Sequence, residues 1–86
     1  MDRILVVEDD ATIRDGVVAF LRHHAYEVCS AEDGLQAREI FEEKSFDLVV
    51  LDIMLPHEDG LSLLKEFKKQ QDIPVIMLTA LSDVKT

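Results

Sequence analysis

The carboxylate of Asp52 is the side chain in this sequence best placed to do chemistry. Four apolar residues, Leu48 to Leu51, run into it without alternation, and such a run is typical of a strand buried on both faces. In a parallel sheet covered by helices, ligands bind at the carboxyl ends of the strands, so Asp52 would lie where a reactive group is expected. A strand-end aspartate can also simply cap a turn, and the residue alone does not separate these roles.

Other polar side chains follow apolar strands in the same way. Glu8 and Asp9 come directly after the first strand, and Thr79 follows the last one. If the first and third strands are neighbours, their carboxyl ends bring Glu8 and Asp9 into one crevice with Asp52. Carboxylates at this range repel each other, so either their pKa values rise or a cation lies among them.

The donors in this crevice favour Mg²⁺. They are oxygen atoms, they are few enough to leave room for water and phosphate, and the sequence has no cluster of Cys and His that would suit zinc. A carboxylate nucleophile beside Mg²⁺, with a hydroxyl such as that of Thr79 nearby, is equipped to accept a phosphoryl group as an aspartyl phosphate. A purely structural acidic cluster is the alternative.

Composition excludes several classes of protein. The 86 residues are 48% hydrophobic and carry 18 acidic against 9 basic side chains, for a net charge of −9, so the chain is globular and has no electrostatic reason to bind nucleic acid. The lone cysteine, Cys29, cannot form an internal disulfide. The sequence shows no signal peptide and no apolar run long enough to span a bilayer, so we expect a cytoplasmic protein that does not contact the membrane.

The chain alternates between strand and helix periodicity, in the order β-α-β-α-β-α-β. This order predicts an α/β fold: a parallel sheet with right-handed crossovers and helices on both faces. The predicted elements are strand Arg3–Val7, helix Thr12–His24, strand Glu27–Ala31, helix Leu35–Lys44, the central strand ending at Asp52, a third helix after a loop from Pro56 to Gly60, and a fourth buried strand, Val75–Leu78.

The helices carry apolar stripes that we expect to face the sheet. These positions are Ile13, Val17, Phe20 and Leu21 in the first helix, Leu35, Ala37, Ile40 and Phe41 in the second, and Leu61, Leu64 and Phe67 in the third. Asp9 or Asp10 would cap the first helix, and its Gly16 would allow a close approach to the sheet.

The sequence also resembles a known family, the receiver domain of bacterial two-component response regulators. The resemblance runs from Ile4 to Thr86, and four motifs carry it: I-L-V-V-E-D-D, A-x-D-G-x-x-A, D-I-M-L-P-H-E-D-G and P-V-I-M-L-T-A. The D-I-M-L-P form is most similar to regulators whose output is a winged-helix DNA-binding domain, a domain that is not present in this segment.

The resemblance implies a role for each residue of the acidic site. It makes Asp52 the phosphoacceptor and Asp9 a direct Mg²⁺ ligand, with Glu8 holding the waters of the metal. Met54 would contribute its backbone carbonyl to the metal, and Thr79 would bind a phosphoryl oxygen and act as the switch. The phosphoryl group would come from a sensor histidine kinase, so the module would modify itself and would not turn over substrate.

The resemblance also implies the sheet topology. A flavodoxin-like receiver orders its strands 2-1-3-4-5, so residues 1–86 would cover the domain up to the start of its fourth helix, with strand order 2-1-3-4. The family's fifth strand, its phosphoryl-pairing lysine and its last helix come later than Thr86, so we expect the segment alone to accept phosphate poorly. The strand Val75–Leu78 would then form a sheet edge through which the segment self-associates.

Two other functions remain open from the sequence. Aspartate-nucleophile phosphatases also work from a strand end with Mg²⁺, but they typically place a second acid two residues after the nucleophile, where this chain has Met54. A non-phosphorylated structural or interaction module is the second possibility. Absence of Mg²⁺ binding would favour that module, and steady turnover of phosphate esters would favour a phosphatase.

Overall fold

Four parallel strands form the sheet that positions the acidic residues. The computed structural model describes residues 2–55 and 58–78, apart from the side chain of residue 58. The main sheet contains β1 (Arg3–Val7), β2 (Glu27–Ala31), β3 (Leu48–Asp52) and β6 (Val75–Leu78). Its order is β2-β1-β3-β6, which confirms the predicted order 2-1-3-4 of a doubly wound α/β sheet. The bounds of β1, β2 and β6 coincide with the predicted strands.

Three helices cross over between the parallel strands: α1 (Ala11–His23), α2 (Gly34–Glu43) and α3 (Gly60–Gln70). Each begins at an aspartate whose side chain accepts a hydrogen bond from a free backbone N–H of the first turn. These N-caps are Asp10, Asp33 and Asp59. Of the two candidates for the first cap, Asp10 is therefore the one used, which leaves the carboxylate of Asp9 available for other contacts.

Alternating strand residues divide the core between the two faces of the sheet. One face carries Leu5, Val7, Val49 and Leu51 and packs against α2 and α3, where the rings of Phe41 and Phe67 stack with their centroids 4.3 Å apart. The opposite face carries Ile4, Val6, Val28 and Val50 and packs against Val17, Val18 and Leu21 of α1. Helices therefore lie on both faces, as predicted.

Parts of the predicted helix stripes are wrong. Phe20, Leu35 and Leu61 are exposed at 63%, 67% and 47%, and Leu63, which the stripe omitted, is fully buried in α3. Each predicted stripe included a residue that lies outside the face of the helix that packs on the sheet. Gly16 was also misinterpreted, because a Cβ at this position would have no neighbour within 4 Å, so no close approach requires a glycine there.

Two further expectations need correction. The segment predicted as a loop contains a short antiparallel pair, β4 (Met54–Leu55) and β5 (Glu58–Asp59), and Gly60 already belongs to α3. The fourth strand, β6, is not buried: Ile76 is 52% exposed, and its other three residues are half-buried. No helix within residues 2–55 and 58–78 is long and apolar enough to cross a membrane.

Candidate functional site

Strand register brings the acidic side chains together. Val7 of β1 pairs with Leu51 of β3, so the residues that follow them, Glu8 and Asp52, stand side by side at the carboxyl edge. Both continue the strand positions that face α1, because side chains alternate along a strand. A shift of one residue in this register would move one of the two carboxylates to the other face.

The three carboxylates predicted from the sequence form one cluster. Ligand oxygens of Glu8, Asp9 and Asp52 all lie within 4.8 Å of one another. Glu8 and Asp52 are buried, with 4% and 5% of their surface exposed, whereas Asp9 is exposed. The cluster therefore has a closed floor made by two strand ends and an open side toward solvent.

Burial and crowding change the ionisation of Glu8. The pKa of Glu8 is raised from 4.5 to about 7. Burial away from solvent is the largest cause, the hydrogen bond from the Asp10 amide lowers the pKa, and the neighbouring Asp52 and Asp9 raise it. A cation at this position would favour the charged form of Glu8 and remove the repulsion.

Backbone N–H groups orient two of these carboxylates. The amide of Asp10 donates to Oε2 of Glu8 at 3.0 Å, and the amide of Met54 donates to Oδ1 of Asp52 at 3.1 Å. Each bond joins a carboxylate to the backbone amide two residues later. The orientation of each carboxylate is therefore fixed relative to the loop that follows its strand.

The donor set fits Mg²⁺. It consists of carboxylate oxygens, and within the described residues no histidine or cysteine joins the cluster. Hard oxygen donors in small number, with an open side for water, are the ligands that Mg²⁺ uses when it binds together with a phosphate. The site is therefore chemically suited to the ion predicted from the sequence.

The other predicted site residues have different outcomes. Met54 lies next to the cluster, where its amide contacts Asp52 and 54% of the residue is exposed. Thr79, predicted to follow the fourth strand as the switch hydroxyl, lies outside the described residues. Its role stays a prediction.

Sequence reasoning missed Arg14. This residue of α1 donates through Nη1 to the carbonyl oxygens of Glu8, at 2.9 Å, and of Asp9, at 3.4 Å. One signal could have found it: a cation in the first turn of a helix is disfavoured by the helix dipole, so it needs a specific partner. The sequence shows an arginine four residues after the cap Asp10.

Gly60 is a second residue whose role only the structure reveals. Its amide donates to the carbonyl of Ile53 at 3.0 Å. A Cβ on Gly60 would lie 2.6 Å from the carbonyl oxygen of Asp52 and 2.6 Å from Cα of Ile53. The start of α3 can therefore lie against the backbone of Asp52 only because residue 60 has no side chain.

The curated proteins that are similar in sequence include regulatory proteins and transcriptional regulators. The chain is 52% identical over 81 residues to the regulatory protein VanRB of Enterococcus faecalis, which covers 94% of this chain and 37% of VanRB. It is 47% identical over 83 residues to the probable transcriptional regulator ycf27 of Porphyridium aerugineum, covering 96% of this chain and 35% of that protein. The chain thus spans little more than a third of the length of these relatives.

Solved structures share the fold. The response regulator TrrA of Thermotoga maritima, in complex with Mg²⁺ and BeF, superposes with a TM-score of 0.87 at 38% identity over 99% of this chain and 75% of that one. A structure of histidine kinase ThkA in complex with TrrA matches with a TM-score of 0.86 at 41% identity, covering 93% and 70%. The sheet described above is therefore a flavodoxin-like receiver fold.

The match to a family covers nearly all of the chain. Residues 4–86 match the response regulator receiver domain. This range contains every residue of the acidic cluster and the short hairpin that follows Asp52. Its bounds are the same as those of the resemblance shown by the sequence motifs, Ile4 to Thr86. The chain belongs to the family of response regulator receiver domains.

Proposed function

We propose that this receiver accepts a phosphoryl group on Asp52 in a Mg²⁺-dependent reaction. The observation that carries the proposal is the pairing of two buried carboxylates, Glu8 and Asp52, at adjacent strand ends, with Asp9 on the open side. Buried like charges are costly unless a cation or a proton compensates them.

The reaction transfers a phosphoryl group from a histidine nitrogen to a carboxylate oxygen of Asp52. A carboxylate oxygen of Asp52 forms a bond to the phosphorus of a phosphohistidine while the P–N bond breaks. The histidine nitrogen keeps the electron pair of that bond and takes a proton from solvent. Asp52 is suited to the nucleophilic role because its oxygens lie at the carboxyl edge of the sheet, where a phosphoryl donor can approach in line.

The surrounding residues would support the transfer in separate ways. Asp9 and Asp52 would hold Mg²⁺ directly, Glu8 would hold its waters, and Met54 would contribute its backbone carbonyl. Bound Mg²⁺ would neutralise charge on the phosphoryl oxygens during transfer. Thr79 would bind one of those oxygens as the switch residue. The hydrogen bond from the Met54 amide to Oδ1 of Asp52 supports the role of Asp52, because it restricts the orientation of the carboxylate.

A sensor histidine kinase is the proposed partner. Support comes from the complex of ThkA with TrrA, a protein of the same fold. The regulatory and transcriptional names of the relatives support a transcriptional output, through a DNA-binding domain outside these 86 residues. We place this signalling in the cytoplasm and propose that residues 1–86 all belong to one receiver domain. A phosphatase has less support, because receivers transmit signals and position 54 is a methionine.

Intact-mass spectrometry tests the proposal. A purified protein that carries this receiver together with the fifth strand and lysine that the family resemblance implies, incubated with Mg²⁺ and acetyl phosphate, should gain one phosphoryl group that is stable in acid and labile in base. Asp52→Asn should abolish the gain, and residues 1–86 alone should be labelled poorly. Asp59→Asn is the matched control, since it removes a nearby carboxylate but keeps a residue that caps α3 well.

Three results would contradict the assignment. Unchanged labelling of Asp52→Asn would remove Asp52 as the nucleophile. No labelling of the longer wild-type protein by either acetyl phosphate or a phosphorylated kinase would favour the non-phosphorylated interaction module. Continuous release of phosphate from esters would instead favour a phosphatase.

We also propose that the 86-residue segment self-associates through β6. Among the described residues, β6 pairs with β3 on one side and with no strand on the other. Its residues are all apolar. Charged side chains and proline protect an edge strand from pairing with another chain, and β6 contains neither. A second copy of the chain could pair with this edge and cover Ile76.

A further inference from the structure

Arg14 reaches from α1 to the backbone of the two acidic residues at the end of β1. Its Nη1 atom donates to the carbonyl oxygens of Glu8 and Asp9, at 2.9 and 3.4 Å. Arg14 is half-buried, so water competes with these bonds less than at an open surface. One guanidinium thus spans two successive peptide groups of the loop that carries the acidic cluster.

This position is unfavourable for an arginine unless it has a specific role. Arg14 is the fourth residue of α1, close to the helix N-terminus, where the helix dipole disfavours a cation. The side chain therefore does not gain stability from the helix that carries it. Its compensating interactions are with the acidic loop, which links α1 to the geometry of the cluster.

We propose that Arg14 is a positioning residue for the Mg²⁺ site, acting through the backbone of Glu8 and Asp9. The inference rests on the proposed function, since it assumes that the cluster binds Mg²⁺. Holding the two carbonyls fixes the orientation of their peptide groups, and with them the directions of the two side chains. The Asp10 amide then completes the arrangement by donating to the Glu8 carboxylate.

Positioning and simple charge predict opposite effects of removing Arg14. If Arg14 acted only as a positive charge near the cluster, its loss would remove a competing cation and Mg²⁺ would bind more tightly. If Arg14 positions the ligands, its loss lets the loop relax and Mg²⁺ binds more weakly. The sign of the change in affinity therefore separates the two roles.

Isothermal titration of Mg²⁺ into the metal-free protein measures this sign. We expect Arg14→Met to weaken binding by about tenfold, the lower end of the range for residues that orient metal ligands. Arg14→Lys should weaken it less, because an ammonium can still donate a hydrogen bond to a carbonyl although it lacks the planar fork. Asp9→Asn serves as the reference for loss of a direct ligand.

Arg22→Met is the matched control. Arg22 also belongs to α1 and also donates its guanidinium to a backbone carbonyl, that of Val28 at 3.2 Å, in β2 and outside the acidic cluster. Its loss should cost similar stability without changing the affinity for Mg²⁺. Equal weakening in Arg14→Met and Arg22→Met would show a general structural effect and overturn the proposal.

A second measurement does not depend on the metal. Hydrogen exchange of the metal-free protein should show faster exchange at the Asp10 amide in Arg14→Met than in Arg22→Met, because the loop is no longer held. If Arg14→Met binds Mg²⁺ as tightly as the wild type or more tightly, Arg14 is not a positioning residue. If the wild type itself binds no Mg²⁺, the proposed function fails and the inference fails with it.

Discussion

Glu8 determines how the acidic site responds to pH. Because its pKa is raised to about 7 in the folded protein, Glu8 keeps its proton at pH values where the unfolded chain has lost it. Its contribution to stability is therefore fully present below about pH 4.5 and is lost as the pH rises through about 7. Mg²⁺ has the opposite preference, since it favours the charged carboxylate.

We expect the metal-free protein to lose stability between about pH 4.5 and 7 through Glu8, and Mg²⁺ to restore stability increasingly above pH 7. The slope assigned to Glu8 can reach about 1.4 kcal/mol per pH unit within this window. Glu8→Gln, which cannot titrate but keeps an oxygen for the Asp10 amide, should flatten the curve. Urea unfolding at several pH values, with EDTA or with Mg²⁺, measures both effects. Identical pH slopes in the two proteins would refute this role of Glu8.

At the scale of secondary-structure elements, the contact between α3 and the end of β3 connects the fold to the site. The helix begins at Gly60, whose amide bonds to Ile53, and the backbone of Asp52 lies too close for any side chain. The loop after the proposed phosphoacceptor is thus held between a strand and a helix start. Its geometry depends on the absence of one Cβ atom.

Gly60→Ala should therefore destabilise the protein. The new Cβ would lie 2.6 Å from backbone atoms that cannot move aside as a flexible side chain could, so we expect a loss of about 1–3 kcal/mol in the free energy of unfolding. Gly16→Ala is the matched control, because space is open there and alanine favours the helix by up to about 1 kcal/mol. Denaturant unfolding of both variants gives the comparison. A neutral or stabilising Gly60→Ala would mean that α3 and Asp52 are not in tight contact.

Over the molecule as a whole, the two edges of the sheet differ in polarity. The outer strand β2 presents Glu27 and Ser30 to solvent, and Glu27 pairs with Arg3 at 2.9 Å. The outer strand β6 is entirely apolar, and Ile76 is more than half exposed on the face toward α1. Charge protects an edge from pairing with another chain, and only β2 carries it.

The 86-residue segment should consequently associate through β6 as its concentration rises. Ile76→Lys should weaken association by about tenfold or more, because it removes apolar burial and places charge on the edge. Leu35→Lys makes a comparable change at an exposed apolar residue of α2, away from the edge, and should leave association unchanged. Light scattering over a concentration series measures the association of the wild-type segment and of the two variants. A wild-type segment that stays monomeric would refute the β6 proposal, as would equal effects of the two substitutions.

Much of this architecture could be predicted from the sequence because it depends on local patterns. Short apolar runs ended by polar residues gave the bounds of three strands, and the alternation of strands with helical stripes predicted the parallel α/β sheet. The position of Asp52 at a strand end followed from the same pattern. These features are local because burial on both faces demands continuous apolar residues.

Tertiary structure decided the remaining features. Residue patterns left open whether the first and third strands are neighbours, and only their observed register puts Glu8 beside Asp52. Likewise, Gly16 and Gly60 both lie in helices, but only Gly60 meets backbone from another element. Exposure of Phe20 depends on how much of α1 the sheet covers. A contact between two residues distant in sequence leaves no periodic pattern in the sequence around either residue. Composition and spacing alone could therefore not determine these contacts.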